Sequence, residues 1–414
     1  MSGMTFYSRK GCIHGVSTRN TTVISSNERL NIKIVMYKEK TMIYLDYLST
    51  TPIDPRVVDV MQLSLRDDFG NASSQHAFGI SAREKIEKAR EQIAELIHCD
   101  ARDIVFTSGA TESINLALKG AALFYQRQGK HIITMSTEHK AVLDTCAYLK
   151  SHGFEITYLN PEKNGLLNLE KLREAIRPDT ILTSIMHVNN ETGVIQDIAA
   201  IGKLLRENGV LFHVDAAQSV GKLPIDLKNL PVDLMSLTSH KIYGPKGIGA
   251  LYVRHQPRVQ LIPQMHGGDQ ENKIRSGTLA THQIVGMGMA YAIARDHLIS
   301  DAKRIEKLRD QFEKNISQLP GMVINGDLKN RLYNCSNFSV DTIDAQKLLK
   351  NLPDIAISQG SACNAVDPEP SSVLIAMGLT RDQANRSFRV SVGRFTTEKE
   401  IEIASARIIE EIIS

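Results

Sequence analysis

Between residues 103 and 253 the chain alternates short, almost continuously apolar runs with longer amphipathic ones, and this rhythm restricts the fold more than any other feature. The apolar runs are Ile104–Thr107, His131–Met135, Ile156–Leu159, Ile181–His187, Leu211–Val214, Leu234–Leu237 and Ala250–Val253. Helical spacing fills the intervals near 111–127, 139–152, 168–176 and 197–208. A strand that is apolar along its whole length has both faces covered, as in a parallel sheet flanked by helices. The spacing therefore predicts an α/β domain built on a mostly parallel, seven-stranded sheet. In such sheets ligands collect at the carboxyl ends of the strands.

The flanks read differently. Ile43 to Tyr47 reads as a short strand, followed by a turn at 50–55 and a helix over 56–66. Ser81-Ala82-Arg83-Glu84 has the form of a capping box, opening a helix with Ile86, Ala89, Ile93, Leu96 and Ile97 on one face. A long helix is predicted from Gly286 to about Leu319, and short strands separated by helices follow it. We expect a large domain over 56–290 and a smaller α+β domain formed by 42–55 with 291–414. Residues 1–41 carry seven Lys/Arg against Glu28 and Glu39 and lack a long apolar stretch. They are expected to be a weakly structured extension rather than a secretory or organelle-targeting peptide.

Composition excludes several functions. A net charge of +3 over 414 residues gives no field for nucleic acid or a membrane surface, and no apolar run approaches the ~20 residues of a membrane span. The five cysteines (Cys12, Cys99, Cys146, Cys335, Cys363) are scattered, without CxxC spacing. That argues against a metal site and a disulfide framework, and for a reducing compartment such as the cytoplasm.

Three motifs fall where an apolar run ends. Phe106-Thr107-Ser108-Gly109-Ala110-Thr111-Glu112 joins a strand to a helix, so free amides at the helix start and the Thr111 hydroxyl make an anion cradle. Asp215 ends the Leu211 run, where a carboxylate needs a partner such as a protonated ring nitrogen. His139, in Thr137-Glu138-His139, reaches the same sheet edge. Taken singly, these also read as a helix cap, a salt bridge and a core histidine. A fourth stretch, Ser239-His240-Lys241, places an amine at the end of another strand before a Gly/Pro turn. Phosphate cup, ring-nitrogen acid, stacking group and Schiff-base lysine together are what pyridoxal 5′-phosphate requires.

With those motifs the sequence closely resembles the cysteine desulfurases of the NifS/IscS type, class-V aminotransferase-like enzymes of fold-type I. The likeness runs from about Tyr44 to Glu400. It is carried also by Tyr44-Leu45-Asp46 with Thr50-Thr51-Pro52, His187-Val188-Asn189-Asn190-Glu191-Thr192-Gly193, Asp215-Ala216-Ala217-Gln218, Arg275-Ser276-Gly277-Thr278 and Arg389-Val390-Ser391-Val392-Gly393-Arg394. The resemblance implies that Lys241 holds the cofactor covalently, Asp215 pairs with its ring nitrogen, Gln218 meets its phenolic oxygen and His139 stacks on its ring. It implies that Ala110, Thr111, Thr238 and His240 cradle the phosphate, and that Thr278 does so for the other subunit of a homodimer. Asn190 and Arg389 would grip the carboxylate of L-cysteine. Cys363, in a small-residue loop over 358–370, would accept the sulfur as a persulfide and pass it to an acceptor protein, a scaffold or a thiolation enzyme. A transient contact of Cys363 with an iron–sulfur cluster belongs to the same set of implied partners.

The chain departs from the family pattern at Asn71-Ala72-Ser73-Ser74, at Ser49 and in the segment after Cys363. It also stops at Ser414, short of the scaffold-binding tail of the housekeeping enzymes, so an acceptor other than the standard scaffold is a serious expectation. Selenocysteine lysis or another fold-type I reaction, and a non-catalytic partner-binding paralogue, are the rival readings.

Overall fold

The computed structural model describes the backbone of residues 21–26 and 33–37, and residues 42–342, 344–359 and 369–414 in full. Cys363 lies outside the described residues. The chain divides into two compact units, Met1–Met42 and Ile43–Ser414. In the first, β1 (Thr21–Ser26) pairs antiparallel with β2 (Lys33–Tyr37).

The second unit opens with β3 (Ile43–Tyr44) and then builds its large sheet from β4 (Ile104–Thr107), β5 (His131–Met135), β6 (Glu155–Leu159), β7 (Thr180–Ser184), β8 (Leu211–Asp215), β9 (Leu234–Thr238) and β10 (Gly249–Val253). Their spatial order is β4-β10-β9-β8-β7-β5-β6. Strands β9, β8, β7, β5 and β6 pair parallel, and β10 runs antiparallel to both of its neighbours. The predicted mostly parallel, seven-stranded sheet is therefore present. β6, at the edge, is the one strand of this sheet that exposes residues, Glu155 and Tyr158 among them.

Helices α1 (Pro55–Asp67), α2 (Ala77–Ile97), α3 (Ala110–Tyr125), α4 (Lys140–Ser151), α5 (Leu169–Ala175) and α6 (Ile198–Glu207) alternate with these strands, and α7 (Thr281–Ile316) follows them. Side chains alternate across a strand, so each strand feeds two cores. Ile104, Phe106, Ile133, Met235 and Tyr252 pack with α2, α6 and the first half of α7. Val105, Ile132, Leu234 and Leu251 pack with α3 and α4. Each fully buried Ile or Leu contributes about 1.5–3 kcal/mol. This two-sided burial explains why the strands lack the polar alternation of a half-exposed sheet.

A third core gathers around the second half of α7. Ile305, Leu308, Phe312 and Ile316 pack with Ile43, Leu45, Phe338, Val390 and with Ile401 and Ile408 of the C-terminal helix. Strands β11 (Val323–Ile324), β12 (Cys335–Ser339) and β14 (Ser387–Ser391) form an antiparallel sheet here, and β13 (Ile355–Ala356) pairs parallel with β3. Helix α7 thus starts at Thr281, five residues before the predicted Gly286, and one helix serves both cores.

Helix α2 also starts earlier than predicted. The Ser81–Glu84 capping box lies inside the helix; its cap is His76, whose Nδ1 accepts the Gly79 N–H at 3.2 Å. The loop before it lies so close that a Cβ on Gly79 would stand 2.6 Å from the Asn71 and Ser74 carbonyl oxygens. That packing, absent from any local pattern, carries the helix back to Ala77.

One buried ion pair ties α2 to the sheet. Arg90 donates from both terminal nitrogens to Glu271, each at 2.9 Å, and from Nη1 to the Ile104 carbonyl at 2.7 Å. Glu271 Oε2 also accepts the Phe106 amide at 2.7 Å. Glu271 sits at φ 48° in a left-handed stretch through Lys273, an arrangement the buried contacts hold in place. Glu271→Ala would strand a buried guanidinium and a strand amide, and is expected to cost about 3–5 kcal/mol. A urea midpoint equal to that of the parent chain would contradict this.

A buried histidine gives a second stability test. His213 bridges β7, β8 and β9: Nδ1 pairs with Ser184 Oγ and Nε2 with Ser236 Oγ, both at 2.8 Å. Burial pushes its pKa down to about 3. Between that value and the ordinary ~6.5 the unfolded chain takes up a proton that the folded one refuses, so stability falls as pH drops through that window. The contribution reaches about 1.4 kcal/mol per pH unit and vanishes above pH ~6.5. His213→Gln should flatten the difference between urea midpoints at pH 5 and pH 7; an unchanged difference counts against it.

Candidate active site

The carboxyl ends of β4, β5, β7, β8 and β9 open onto one cavity of about 780 Å³. This is the size range of small-molecule sites. Its walls include Ala110, Thr111, His139, Asn190, Asp215, Gln218, Thr238, His240, Lys241 and Arg389. Sequence positions from 110 to 389 thus meet because parallel strands deliver all their carboxyl ends to one edge.

The anion cradle forms at the start of α3. Gly109 caps this 16-residue helix with φ 153° and no side-chain cap bond, so the first-turn amides face the cavity with the helix dipole behind them. The neighbouring strand comes close enough that a Cβ on Gly249 would stand 2.6 Å from Gly109 Cα. Glu112 closes the back of the turn, accepting the Ser108 amide at 2.6 Å and Arg275 Nε at 2.8 Å.

Two strands along from the cradle, across β10, lies the turn after β9. His240 Nδ1 pairs with Thr50 Oγ1 at 3.1 Å, which leaves Nε2 for a ligand. Burial, helped by Lys241, Lys246 and Lys222, holds the His240 pKa down at about 4, so its ring is neutral at pH 7. Thr51 Oγ1 donates to the His240 carbonyl at 2.9 Å and accepts the Tyr243 amide at 2.8 Å. Tyr243 is held at φ 67° by these contacts and by Arg394 stacked 4.2 Å from its ring centre. Lys241 therefore projects from a turn clamped by residues far away in the sequence.

Between these walls lie Asp215, His139 and Glu138. Asp215 Oδ1 accepts the Ala217 amide at 2.9 Å, and its carboxylate lines the cavity. His139 caps α4, accepting the Ala141 amide on Nδ1 at 3.1 Å; burial lowers its pKa. Glu138 Oε1 accepts the Met186 amide at 2.8 Å, while Oε2 is buried without a partner among the described residues. Burial, with the charge of Asp215 adding, pushes this carboxyl well above the usual carboxylate range.

Arg389, near the middle of β14, is buried and already engaged. Nη2 donates to Asp46 Oδ1 at 2.6 Å and Ser49 Oγ at 2.7 Å, and Nη1 to the Asn190 carbonyl at 2.5 Å. Ser358 pairs with Arg389 through both backbone bonds, N–H to O at 3.2 Å and 2.6 Å. Glu369 and Pro370 also line the cavity.

Residues 43–403 match the model of the class-V aminotransferases. The cysteine desulfurase IscS of Methylococcus capsulatus is 54% identical over 374 residues, covering 90% of this chain and 93% of that one. The chain belongs to the cysteine desulfurase family. Among solved structures, a NifS-like protein superposes with a TM-score of 0.84 at 37% identity, covering 89% of this chain and 98% of that one. A structure described as SspA in complex with cysteine follows at 0.77 and 41% identity, covering 86% and 100%.

As a cysteine desulfurase the chain works through pyridoxal 5′-phosphate, and its cavity suits that group on its own chemistry. It offers a helix N-terminus without a side-chain cap for the phosphate, a strand-end carboxylate for the ring nitrogen and the Lys241 amine in the same wall set. Ten of the twelve expected site residues line the cavity. Thr278 is exposed and outside it, and Cys363 is not among the described residues. The sequence reading gave no roles to Asp46, Thr50, Thr51, Glu138 or Lys222. Asp46, Thr50, Thr51 and Glu138 stand inside the quoted motifs, yet their partners are as many as 343 residues away. Among the described residues no group of His, Cys, Asp and Glu is arranged to hold a metal ion, and no helix is long and apolar enough to cross a membrane.

Proposed function

We propose that this cavity removes sulfur from L-cysteine, releases L-alanine and leaves the sulfur on Cys363 as a persulfide. The observation that carries the reading is the meeting of Lys241, Asp215, His139 and Arg389 in one cavity whose wall includes Glu369 and Pro370. Ser358 is bonded to Arg389, and Cys363 is five residues further on. Chain length alone therefore keeps the Cys363 Cα within about 18 Å of the Ser358 Cα.

The bound cofactor supplies an electron sink for the substrate Cα. The chain's residues do the rest. The first-turn amides at Ala110 and Thr111, with Thr238 and His240, hold the phosphate, Asp215 the ring nitrogen and Gln218 the phenolic oxygen. Arg389 and Asn190 orient the substrate carboxylate, a task suited to a planar guanidinium; Asp46 and Ser49 keep that guanidinium in place. Lys241 holds the cofactor and takes the Cα proton, and His139 stacks on the ring and moves protons. The Cys363 thiolate attacks the substrate Sγ. The new S–S bond forms as Cβ–Sγ breaks and the electron pair passes to Cβ; protonation at Cβ and return of a proton from Lys241 to Cα complete alanine.

We further propose a homodimer in which the exposed Thr278 completes the partner's phosphate cup. Large apolar side chains left exposed in one stretch, Leu63, Leu65, Phe69 and Phe78, support such a contact. The division of labour is a large domain (56–290) holding the cofactor and a smaller one (42–55 with 291–414) bringing Arg389 and the Cys363 loop. The sulfur then passes to an acceptor protein of cluster assembly or nucleic-acid thiolation, in a cytoplasmic setting consistent with unpaired cysteines. The test is the reaction itself: the holoenzyme given L-cysteine should yield one alanine per sulfur found on Cys363 by peptide mass spectrometry. Alanine without sulfur on Cys363 would overturn the assignment.

A further inference from the structure

Behind the cofactor cavity the fold buries a lysine that the reaction as described does not use. Lys222 is 7% exposed, and its Nζ donates to Gln218 Oε1 at 3.0 Å. With Lys241, Tyr333 and Asn334 it lines a small cleft beside the site. No carboxylate among the described residues pairs with it. The groups whose charges act on it are Lys241, Cys335 and Arg389, and burial with the nearby Lys241 brings its pKa down to about 7. A buried amine that finds no carboxylate among the described residues is costly to keep, so its hydrogen bond to Gln218 is the place to look for its purpose.

That bond fixes the orientation of Gln218. An ammonium has three N–H donors and no acceptor, and a carbonyl oxygen only accepts. The Gln218 amide lies between the two: Oε1 faces Lys222, and Nε2 donates to the Leu48 carbonyl at 2.8 Å. Both neighbours select the same rotation of the carboxamide. Its second N–H has no protein partner among the described residues, and Gln218 lines the cofactor cavity. Turned the other way, the amide would present an oxygen to an oxygen.

We propose that Lys222 is a positioning residue, which holds the Gln218 carboxamide with its N–H edge toward the phenolic oxygen of the bound cofactor. This rests on the proposed contact of Gln218 with that oxygen. A hydrogen bond donated to the phenolic oxygen withdraws negative charge from it. Losing the bond strengthens the hold on the neighbouring proton and moves the pH-dependent change in visible absorbance upward.

The experiment is a double-mutant cycle on holoenzyme reconstituted with pyridoxal phosphate, read as the midpoint of that absorbance titration. Gln218→Ala and Lys222→Met are each expected to raise the midpoint by about one pH unit, and the double variant by no more than Gln218→Ala alone. The melting temperature of each variant is measured beside it, because loss of a buried charge alters stability without moving the chromophore. An unmoved midpoint in Lys222→Met overturns the proposal. So does a Lys222→Met shift that persists undiminished in the Gln218→Ala background, since Lys222 would then act by its charge. An unmoved midpoint in Gln218→Ala overturns the Gln218 contact itself and the proposal with it. Lys222→Leu takes the place of Lys222→Met in the cycle if the methionine variant does not fold.

Discussion

Lys241→Ala is expected to give a folded, colourless protein whose cysteine desulfurase activity has fallen by about 10⁴-fold or more. Two proposed functions would go with one side chain: the covalent hold on the cofactor and the base for the Cα proton. The fold should survive, because the turn is held by backbone bonds. The Ile242 and Gly244 amides donate to the Ser239 carbonyl, each at 3.1 Å, and Thr51 grips the turn from outside. The measurements are visible absorbance after incubation with pyridoxal phosphate, retention of the cofactor after borohydride reduction, and alanine production. Borohydride-fixed cofactor on the variant, or activity within tenfold of the parent, would place the covalent attachment elsewhere.

Cys363→Ser is expected to separate cofactor chemistry from sulfur transfer. Among the described residues the cavity walls have their own bonds: Asp215 to the Ala217 amide, His139 to the Ala141 amide, Glu138 to the Met186 amide, and the Lys241 turn to Thr50 and Thr51. The variant should therefore bind pyridoxal phosphate and develop the parent's colour. Sulfur transfer to any acceptor should fall by about 10³-fold or more, since a serine hydroxyl at neutral pH is a far poorer nucleophile than a thiolate. The three cysteines among the described residues do not substitute. Burial pushes Cys335 up to about 11 and Cys146 up to about 12, and drives Cys99 higher still, so their thiolates are scarce at neutral pH. Persulfide formation at parent rates in Cys363→Ser would remove Cys363 from the mechanism.

Local patterns carried much of the site. A strand-to-helix junction such as Phe106–Glu112 announces a cradle because a helix start always leaves amides unpaired. A carboxylate such as Asp215 at the end of an apolar run is informative for the same reason: burying it alone is unfavourable. Patterns failed where contact, not period, set the outcome. The start of α2 moved to Ala77 because the Asn71–Ser74 loop folds back onto Gly79. The upward push on the Glu138 carboxyl follows from burial, which its neighbours in the chain do not reveal.

The sequence by itself determined the layered α/β architecture, the cradle at Gly109, the strand-end Asp215 and Lys241, and membership in a family with a catalytic cysteine. All of these rest on residues adjacent in the chain or spaced by a helix or strand period. The tertiary structure alone decided who holds whom: Asp46 with Arg389, Thr50 and Thr51 with the Lys241 turn, Lys222 with Gln218. The first two join residues some 190 and 343 positions apart. The third joins residues four apart that sit in a loop, where no helix or strand period foretells that they touch. Such pairs are set by the order in which strands assemble and by which side chains are sealed from water together.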